Sequence, residues 1–246
     1  MSQKGLPMNK KIMNEYDDVI CKANLNAFKQ KTKQLRYLIS DEDELERALI
    51  ELCVDMLVEH GKSRELIRQI SQISRILAES LGLGKSYCST LEQAAPIYDI
   101  GNLLVCSEIY LKDDALNFEE FKIVKNHTLW GYNLLIAQHF LTTDIAAVIS
   151  AEHHEWFNGG GYPRGTKGDQ IDIAARIVSV ADSVGTLFSE RPGRVPWDYE
   201  RIVSHISNRS GIEFDPGVTE VFKINQEIIY QVLCSDISAI EEQWYA

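Results

Sequence analysis

The sequence predicts an all-α protein, and three observations support this fold class. Apolar residues recur every three to four positions through most of the chain, as they do over residues 45–57. Serine, aspartate and glycine stand at the ends of these runs, where such residues cap helices. No segment alternates apolar and polar residues over a convincing strand length. We therefore predict a helical bundle over residues 41–246, preceded by a tail and a helix over residues 1–40.

The charge balance of the chain limits its partners. Of 246 residues, 45% are hydrophobic and 25% charged, the values of an ordinary soluble globular protein. Asp and Glu outnumber Lys and Arg by 36 to 25, which gives a formal charge of −11. General nucleic-acid binding is disfavoured, because it needs a basic face against the phosphates. A local basic pocket for a small phosphate ligand is compatible with this balance.

Cysteine usage and hydropathy indicate a cytoplasmic protein without a membrane partner. The five cysteines form no CxxC pair, and most lie in apolar helical patterns where a free thiol behaves as a small hydrophobe. This usage fits a reducing compartment. The N-terminus lacks the apolar core of a signal peptide. The longest stretch without Asp, Glu, Lys or Arg, residues 126–143, contains histidine and asparagine and is not a membrane span.

The N-terminal half contains four predicted segments before the first aspartate of interest. Residues 1–14 form a polar tail, and residues 15–39 form a loosely periodic helix that docks on the core or pairs with a second subunit in a homodimer. Ser40 caps a helix that ends at Gly61. Ser63 then starts a helix with an apolar inward face, which ends at the glycines 82 and 84.

Further helices follow to the end of the predicted bundle. One covers residues 90–100 and is kinked by Pro96. The next begins near Phe118 and carries His127 inside, and another covers residues 144–154. The remaining predicted helices cover residues 172–188, residues 197–207 and a final segment that is capped by Asp215 with Pro216 in its first turn.

The stretch AEHHEWFNGGGYPRG joins a histidine pair to a glycine-rich loop. His153 and His154 close an apolar helical run, so both imidazoles are available to one site. Neutral imidazole is the commonest metal ligand among side chains. The glycine run that ends at Gly161 allows a sharp turn and close approach to a ligand. Tyr162 offers a stacking ring, and Pro163 stiffens the exit of the loop.

Aspartates and histidines recur on successive predicted helices. Besides the histidine pair, Asp99, His127 and Asp182 each lie in an apolar helical segment. Each of them alone is more often a satisfied core residue, but several buried carboxylates without partners are costly. A shared cation explains the whole set, and the sequence therefore predicts a metal site.

The segments around these residues resemble an HD-GYP domain, a member of the HD phosphohydrolase superfamily. The resemblance rests on AAPIYDIGN, KNHTLWGYNLL, EHHEWFNGGGYPRGTKGDQIDIAARIVSVADSV, RPGR and FDPGV, and covers residues 41–222. It implies an HD-domain helical bundle that hydrolyses the bacterial second messenger cyclic di-GMP. It also implies two or three metal ions, often iron or manganese, that activate a bridging hydroxide.

The resemblance implies a role for each matching residue. Asp99 matches the catalytic aspartate that bridges two metals, and Asp182 matches a ligand of one of them. The other metal would be held by four residues, namely Asp99, His127, His153 and His154. Gly161, Tyr162 and Pro163 match the ligand-recognition loop. Arg191 and Arg194 match basic positions that contact the dinucleotide, for which the planar guanidinium is well suited.

Three positions depart from the family pattern. Leu66 and Tyr98 stand where the family has histidine ligands, and Asn102 stands where it has a phosphate-holding lysine. Leucine cannot bind a metal, and tyrosine binds one only as phenolate, whose unperturbed pKa is near ~10. We therefore expect at most one tightly bound divalent ion, and iron, manganese, zinc and nickel are all compatible with its ligands.

Three functions are compatible with this pattern. The first is a degenerate HD-GYP signalling protein that hydrolyses poorly or not at all and binds cyclic di-GMP, a related nucleotide or a protein. The second is an active metal-dependent phosphodiesterase that uses the residual metal site. The third is a scaffold, for which the resemblance implies a diguanylate cyclase domain as partner.

Overall fold

The computed structural model describes residues 20–190 and 195–235, and within these ranges it contains helices and no strand. The all-α prediction is confirmed. The α-helices are α1 (Lys22–Leu38), α2 (Glu42–Glu59), α3 (Arg64–Ser80), α4 (Lys85–Ala94), α5 (Ser107–Tyr110), α6 (Phe118–Lys125), α7 (His127–Ile136), α8 (Leu141–Glu152), α9 (Ile173–Phe188), α10 (Tyr199–Asn208), α11 (Pro216–Ile224) and α12 (Gln226–Cys234). Short 3₁₀ turns cover Ala95–Ile97, Ile100–Leu104 and Gly168–Gln170.

Helix α3 lies at the centre of the bundle. Its residues Ile70, Ile73 and Leu77 are fully buried, and it packs against α4, α9 and α12. Helices α7 and α8 form a second packed pair, which α9 joins to the rest of the core. This packing brings the N-terminus of α7, the C-terminus of α8 and the 3₁₀ turns that follow α4 close together.

Helix α1 docks on the core of the domain. Phe28 is 2% exposed, the backbone N–H of Cys21 donates to Leu104, and the Asn24 amide donates to the Leu103 carbonyl. Of the two predicted positions for this helix, the structure shows the docked one. The division into residues 1–40 and 41–246 stays a prediction, and residues 1–14 lie outside the described ranges.

Two of the three N-cap residues that the sequence predicts are confirmed. Ser63 accepts a hydrogen bond from Leu66 N, and Asp215 accepts from the first turn of α11. The predicted cap at Ser40 is wrong, because the Asp41 side chain accepts from Glu44 N instead. Aspartate is as good a cap as serine, so the sequence left this choice open.

Two predicted helices are interrupted. The helix predicted over residues 90–100 begins at Lys85 and ends at Ala94, because Pro96 forces a 3₁₀ turn there. The helix predicted to carry His127 inside breaks at Asn126, which places His127 at the start of α7. Each break lies just before a residue of the candidate site, which is Asp99 in the first case and His127 in the second.

The remaining elements lie close to their predicted positions. Helix α8 begins at Leu141 and ends at Glu152, so the histidine pair follows the helix and is not part of it. The segment from Pro216 is not the final helix, since α12 follows after Asn225. No helix within residues 20–190 and 195–235 is long and apolar enough to cross a membrane.

Gly101 allows the turn after α4 to touch α7 directly. A Cβ atom on Gly101 would lie 1.9 Å from the carbonyl oxygen of His127 and 2.6 Å from the backbone nitrogen of Gly131. Gly131 is equally confined on its other side, since its Cβ would lie 2.2 Å from the Ser150 hydroxyl. The absence of side chains at these glycines lets the backbone near Asp99 approach α7 and α8.

Candidate metal centre

Three imidazoles converge at the ends of two helices. His127 is the first residue of α7, His153 caps the C-terminus of α8, and His154 follows it. One ring nitrogen from each lies within 4.8 Å of the others. Two of the three are buried, and the third is partly exposed. These three of the predicted ligands therefore form a cluster that could hold a metal ion.

Backbone carbonyls fix the orientation of two of these rings. His127 Nδ1 lies 2.7 Å from the Val124 carbonyl oxygen, and His153 Nδ1 lies 3.0 Å from the carbonyl oxygens of Ile149 and Ser150. Because a carbonyl only accepts, each Nδ1 carries the proton and each neutral ring keeps its Nε2 lone pair. The two Nε2 atoms lie 3.3 Å apart. Two facing lone pairs repel each other, and a cation between them removes that repulsion.

Burial keeps His127 and His154 neutral in the metal-free protein. It lowers the pKa of His127 to about 4. It also lowers the pKa of His154 well below its usual value, and the neighbouring histidines add to that effect. Both rings are therefore unprotonated at neutral pH and available as ligands, since a metal must compete with protons for the same nitrogen.

Asp99 completes the set with one oxygen facing the imidazoles. Its Oδ1 lies 3.5 Å from His127 Nε2 and 3.6 Å from His153 Nε2. Its Oδ2 accepts from the Lys62 ammonium at 2.6 Å. Burial alone would raise the pKa of this carboxyl, but the Lys62 ammonium, and in acid the protonated imidazoles of His127 and His153, hold the pKa well below its usual range.

The four residues fit a divalent transition metal. Three neutral imidazoles and one carboxylate are a donor set that iron, manganese, zinc and nickel all accept. The hydrogen bonds from Nδ1 to backbone carbonyls are the outer contacts that orient metal-binding histidines. The described residues thus include a cluster that could hold a metal.

Asp182 lies apart from the imidazole cluster and has other partners. Its Oδ1 accepts from the Tyr98 hydroxyl at 2.6 Å and from the Thr186 hydroxyl at 3.2 Å. Tyr98 is only 1% exposed. Leu66 packs into the core against α9, where a Cβ at Gly185 would lie 2.8 Å from its Cδ1. Neither Tyr98 nor Leu66 offers a nitrogen ligand, and Asn102 is buried nearby as a neutral side chain.

The loop with Gly161, Tyr162 and Pro163 closes over the imidazoles. Gly161 is required by packing, because a Cβ there would lie 2.3 Å from the His154 carbonyl oxygen and from Trp156 N. The Tyr162 ring stacks on the His154 ring, with 4.7 Å between centroids. The peptide bond between Tyr162 and Pro163 is cis. The Glu155 carboxylate accepts from the Arg164 backbone N–H at 2.7 Å, which anchors the exit of the loop.

An aromatic and basic rim lies beside this loop. The Phe121 ring contacts the Tyr162 ring edge to face, with 6.2 Å between centroids. The Lys125 ammonium lies 5.1 Å from the centroid of Phe121 and 5.6 Å from that of Tyr162. Phe121 is 45% exposed. This rim could stack a base and pair with a phosphate. Arg191 and Arg194 lie outside the described residues.

The sequence did not reveal four of the residues at this site. Lys62 reaches it from the turn between α2 and α3. Phe121 and Lys125 reach it from one face of α6, and Glu155 reaches it from the entrance of the loop. None of these residues belongs to a metal-binding pattern. Glu155 and Lys125 had a visible signal, since both lie in segments that carry the family resemblance. Lys62 and Phe121 look like ordinary helix-end and surface residues in the sequence.

This helical domain with a histidine–aspartate centre at the helix ends is of the HD class. A family model described as HD domain matches residues 44–218, and the chain belongs to this family. The resemblance to HD-GYP domains is confirmed, whereas the proposed effect of the departures at Leu66, Tyr98 and Asn102 stays a prediction.

Curated relatives share this part of the chain. A cyclic di-GMP phosphodiesterase from Thermotoga maritima is 36% identical over 161 residues, which are 65% of this chain and 44% of the relative. The cyclic di-GMP phosphodiesterase response regulator RpfG of Xanthomonas campestris is 31% identical, over 72% of this chain and 47% of its own. A 3′3′-cGAMP-specific phosphodiesterase of Vibrio cholerae is 29% identical, over 65% and 31%. The chain spans less than half of each of these relatives.

Two solved structures show the same fold. A cyclic GMP-AMP specific phosphodiesterase from V. cholerae superposes with a TM-score of 0.56 and 19% identity, over 76% of this chain and 51% of the other. An HDG"Y"P protein from Bdellovibrio bacteriovorus superposes with a TM-score of 0.51 and 18% identity, over 82% and 64%. At these identities the likeness concerns the fold alone.

The low pKa of His127 predicts a pH-dependent stability in the metal-free protein. The unfolded residue titrates near 6.5 and the folded one at about 4. Between these values the unfolded chain binds a proton that the folded chain does not bind, so the free energy of unfolding falls as the pH falls. The expected slope is about 1.4 kcal/mol per pH unit for this residue. His154 shifts in the same direction.

Urea denaturation with a chelator at several pH values between 7.5 and 4.5 measures this slope. A His127→Gln variant is expected to show a smaller slope over the same range. Asp99 does not interfere, because its lowered pKa starts from 3.8 and its contribution is lost only at more acidic pH. A stability that is constant down to pH 4.5 would contradict the assignment of His127 as a buried neutral residue.

Proposed function

We propose that this chain is a degenerate HD-GYP signalling domain with a single metal ion, which binds cyclic di-GMP or a related cyclic dinucleotide and hydrolyses it poorly or not at all. The observation that carries the proposal is the asymmetry of the site. The imidazoles and Asp99 Oδ1 converge on one side, while on the other the Tyr98 hydroxyl donates to Asp182 at 2.6 Å. Among the described residues, the second side offers carboxylates but no nitrogen ligand.

Different residues would bind the metal ion and the nucleotide. His127, His153, His154 and Asp99 would hold the ion, which when bound would supply a Lewis acid for a phosphoryl oxygen. Tyr162 covers His154 and limits the access of water to it. Burial raises the pKa of Tyr162, as do the charges of Asp99 and Asp182. Its hydroxyl therefore stays protonated and can donate to a ligand oxygen.

Weak hydrolysis follows from the lack of ligands for a second divalent ion and of a lysine at position 102, since the buried Lys62 ammonium is already paired with Asp99. Two-metal sites stabilise both the attacking and the leaving oxygen of a phosphoryl transfer. Here Tyr98 is neutral and directed at Asp182, and Asn102 is neutral where the resemblance implies a lysine. Negative charge that develops on the far side of the phosphorus is therefore poorly stabilised.

The ligand class is supported by the relatives and by the rim. Relatives carry names that state activity on cyclic di-GMP or 3′3′-cGAMP. Phe121 and Lys125 offer a ring and an ammonium beside the loop. Arg191 and Arg194 are proposed to add phosphate or guanine contacts. We also propose a cytoplasmic location, a division at residues 40 and 41, and a diguanylate cyclase domain or a second copy of the chain as protein partner.

Elemental analysis of the purified protein tests the metal content. We expect about one iron, manganese, zinc or nickel ion per chain after dialysis, and little conversion of cyclic di-GMP to linear pGpG or GMP. Two tightly held ions per chain, or rapid turnover, would contradict the proposal. Absence of both metal and calorimetric heat with cyclic di-GMP would favour a scaffold that binds neither.

An active phosphodiesterase is the second candidate, and the intact one-metal ligand set favours it. A metal held by Asp99 and three histidines can activate water in principle. In that case a His154→Ala variant loses the activity together with the metal. Activity that survives this substitution would come from another site or from a contaminant.

Phe121 provides a test of nucleotide binding. Base–aromatic stacking is worth about 1–3 kcal/mol, so Phe121→Ala is expected to weaken cyclic di-GMP binding by roughly 10-fold in calorimetry. Phe118→Ala is the matched control, since Phe118 is 73% exposed on the same helix. Equal affinities of the two variants would show that the rim does not contact the ligand.

A further inference from the structure

The buried lysine Lys62 lies on the far side of Asp99 from the imidazoles. Its side chain is 5% exposed, and its ammonium donates to Asp99 Oδ2 at 2.6 Å and to the Tyr98 hydroxyl at 3.3 Å. The same nitrogen lies 4.5 Å from the centroid of the Tyr98 ring. A buried ammonium is costly unless acceptors surround it, and here the acceptors belong to the candidate site.

The turn between α2 and α3 places Lys62 at this position. Gly61 has a φ of +109°, and a Cβ there would lie 2.9 Å from Leu111 Cδ2. The backbone N–H of Lys62 donates to the Leu57 carbonyl at 3.0 Å, which closes the end of α2. Ser63 then caps α3. Lys62 is thus held between two helix ends and is not a mobile surface lysine.

Lys62 and the imidazoles use different oxygens of one carboxylate. Asp99 Oδ2 pairs with the ammonium of Lys62, while Oδ1 faces His127 and His153. The Tyr98 hydroxyl connects this ion pair to Asp182, to which it donates at 2.6 Å. Two carboxylates therefore share one internal positive charge outside the imidazole cluster.

We propose that the Lys62 ammonium is a built-in cation that takes the place of a second divalent ion between Asp99 and Asp182. The proposal rests on the single-metal centre proposed above. The ammonium occupies the oxygen that a second ion would need, and its positive charge repels such an ion. In addition, it fixes Asp99 with Oδ1 directed at the imidazoles.

A charge-free variant with Mn²⁺ as the probe tests this. Lys62→Met keeps an unbranched side chain, one atom shorter than that of lysine, and removes the charge. Equilibrium dialysis followed by elemental analysis is expected to give one ion per chain for the wild type and two for Lys62→Met at millimolar Mn²⁺. The thermal midpoint of the variant is expected to rise with Mn²⁺ on the order of 5 °C more than that of the wild type.

Two controls separate charge from packing. Lys62→Arg keeps the positive charge and is expected to hold one ion without the additional rise. Lys31→Met removes an exposed lysine that pairs with Glu59, and it should behave as the wild type. If Lys62→Met folds poorly, its folded fraction with and without Mn²⁺ becomes the measurement, and recovery by the ion supports the proposal.

Equal ion counts and equal Mn²⁺ dependence in the wild type and in Lys62→Met would overturn the role of Lys62. Failure of Mn²⁺ to recover a poorly folded Lys62→Met would overturn it as well. A wild-type protein without any bound ion would instead contradict the proposed metal centre. In that case the additional stabilisation of Lys62→Met by Mn²⁺ would still support the role of Lys62 as an internal cation.

Discussion

Replacing His153 with alanine is expected to weaken metal binding by at least about 100-fold, since loss of an outer contact to a ligand alone costs about 10- to 100-fold. His153 is 2% exposed, and its Nε2 lies 3.3 Å from that of His127 and 3.6 Å from Asp99 Oδ1. It therefore lies against two of the other predicted ligands. Competition with a fluorescent chelator measures the affinity, and elemental analysis the retained ion.

The control for this variant is a histidine outside the cluster. His205 lies on α10, where its ring contacts Trp197 and Phe214. His205→Ala is expected to keep the metal content of the wild type. Metal retention in His153→Ala equal to that of His205→Ala would show that the imidazole cluster is a structural core and not a metal centre.

Replacing Gly101 with alanine is expected to destabilise the protein by about 3 kcal/mol or more, because its Cβ would meet backbone atoms that cannot rotate away. The nearest of these atoms, the His127 carbonyl oxygen, would lie 1.9 Å away. To make room for this Cβ, the turn and α7 must move apart, and this also moves Asp99 away from His127. In the wild type, Asp99 Oδ1 lies 3.5 Å from His127 Nε2. Metal affinity is therefore expected to fall together with stability. Urea denaturation with and without a chelator measures both effects.

Gly84→Ala is the matched control for the loss of a glycine. Gly84 precedes α4 with a negative φ, and a Cβ there would meet nothing within 4 Å. Its substitution is expected to change stability by less than about 0.5 kcal/mol. A Gly101→Ala protein as stable as Gly84→Ala would mean that the turn and α7 do not touch as described.

The helical fold and the imidazole cluster could be predicted because both depend on local patterns. Apolar periodicity identified the helices, and capping residues such as Ser63 and Asp215 set several of their starts. His153 and His154 are adjacent in sequence, so their convergence needs only a helix end. The interruption at Pro96 was predicted as a kink, whereas the break at Asn126 was not predicted, because without a proline a helix interruption depends on the packing of the turn that follows it.

The sequence by itself determined the fold class, the family resemblance and the identities of the residues that converge beside Asp99. Only the tertiary structure decided what surrounds the other oxygen of that carboxylate. Lys62 precedes Asp99 by 37 residues, and their contact at 2.6 Å depends on the turn at Gly61. Likewise, Tyr98 and Asp182 are 84 residues apart and meet at 2.6 Å. Hydrophobic periodicity indicates which helix face is buried, but a polar contact between distant helices depends on their relative positions.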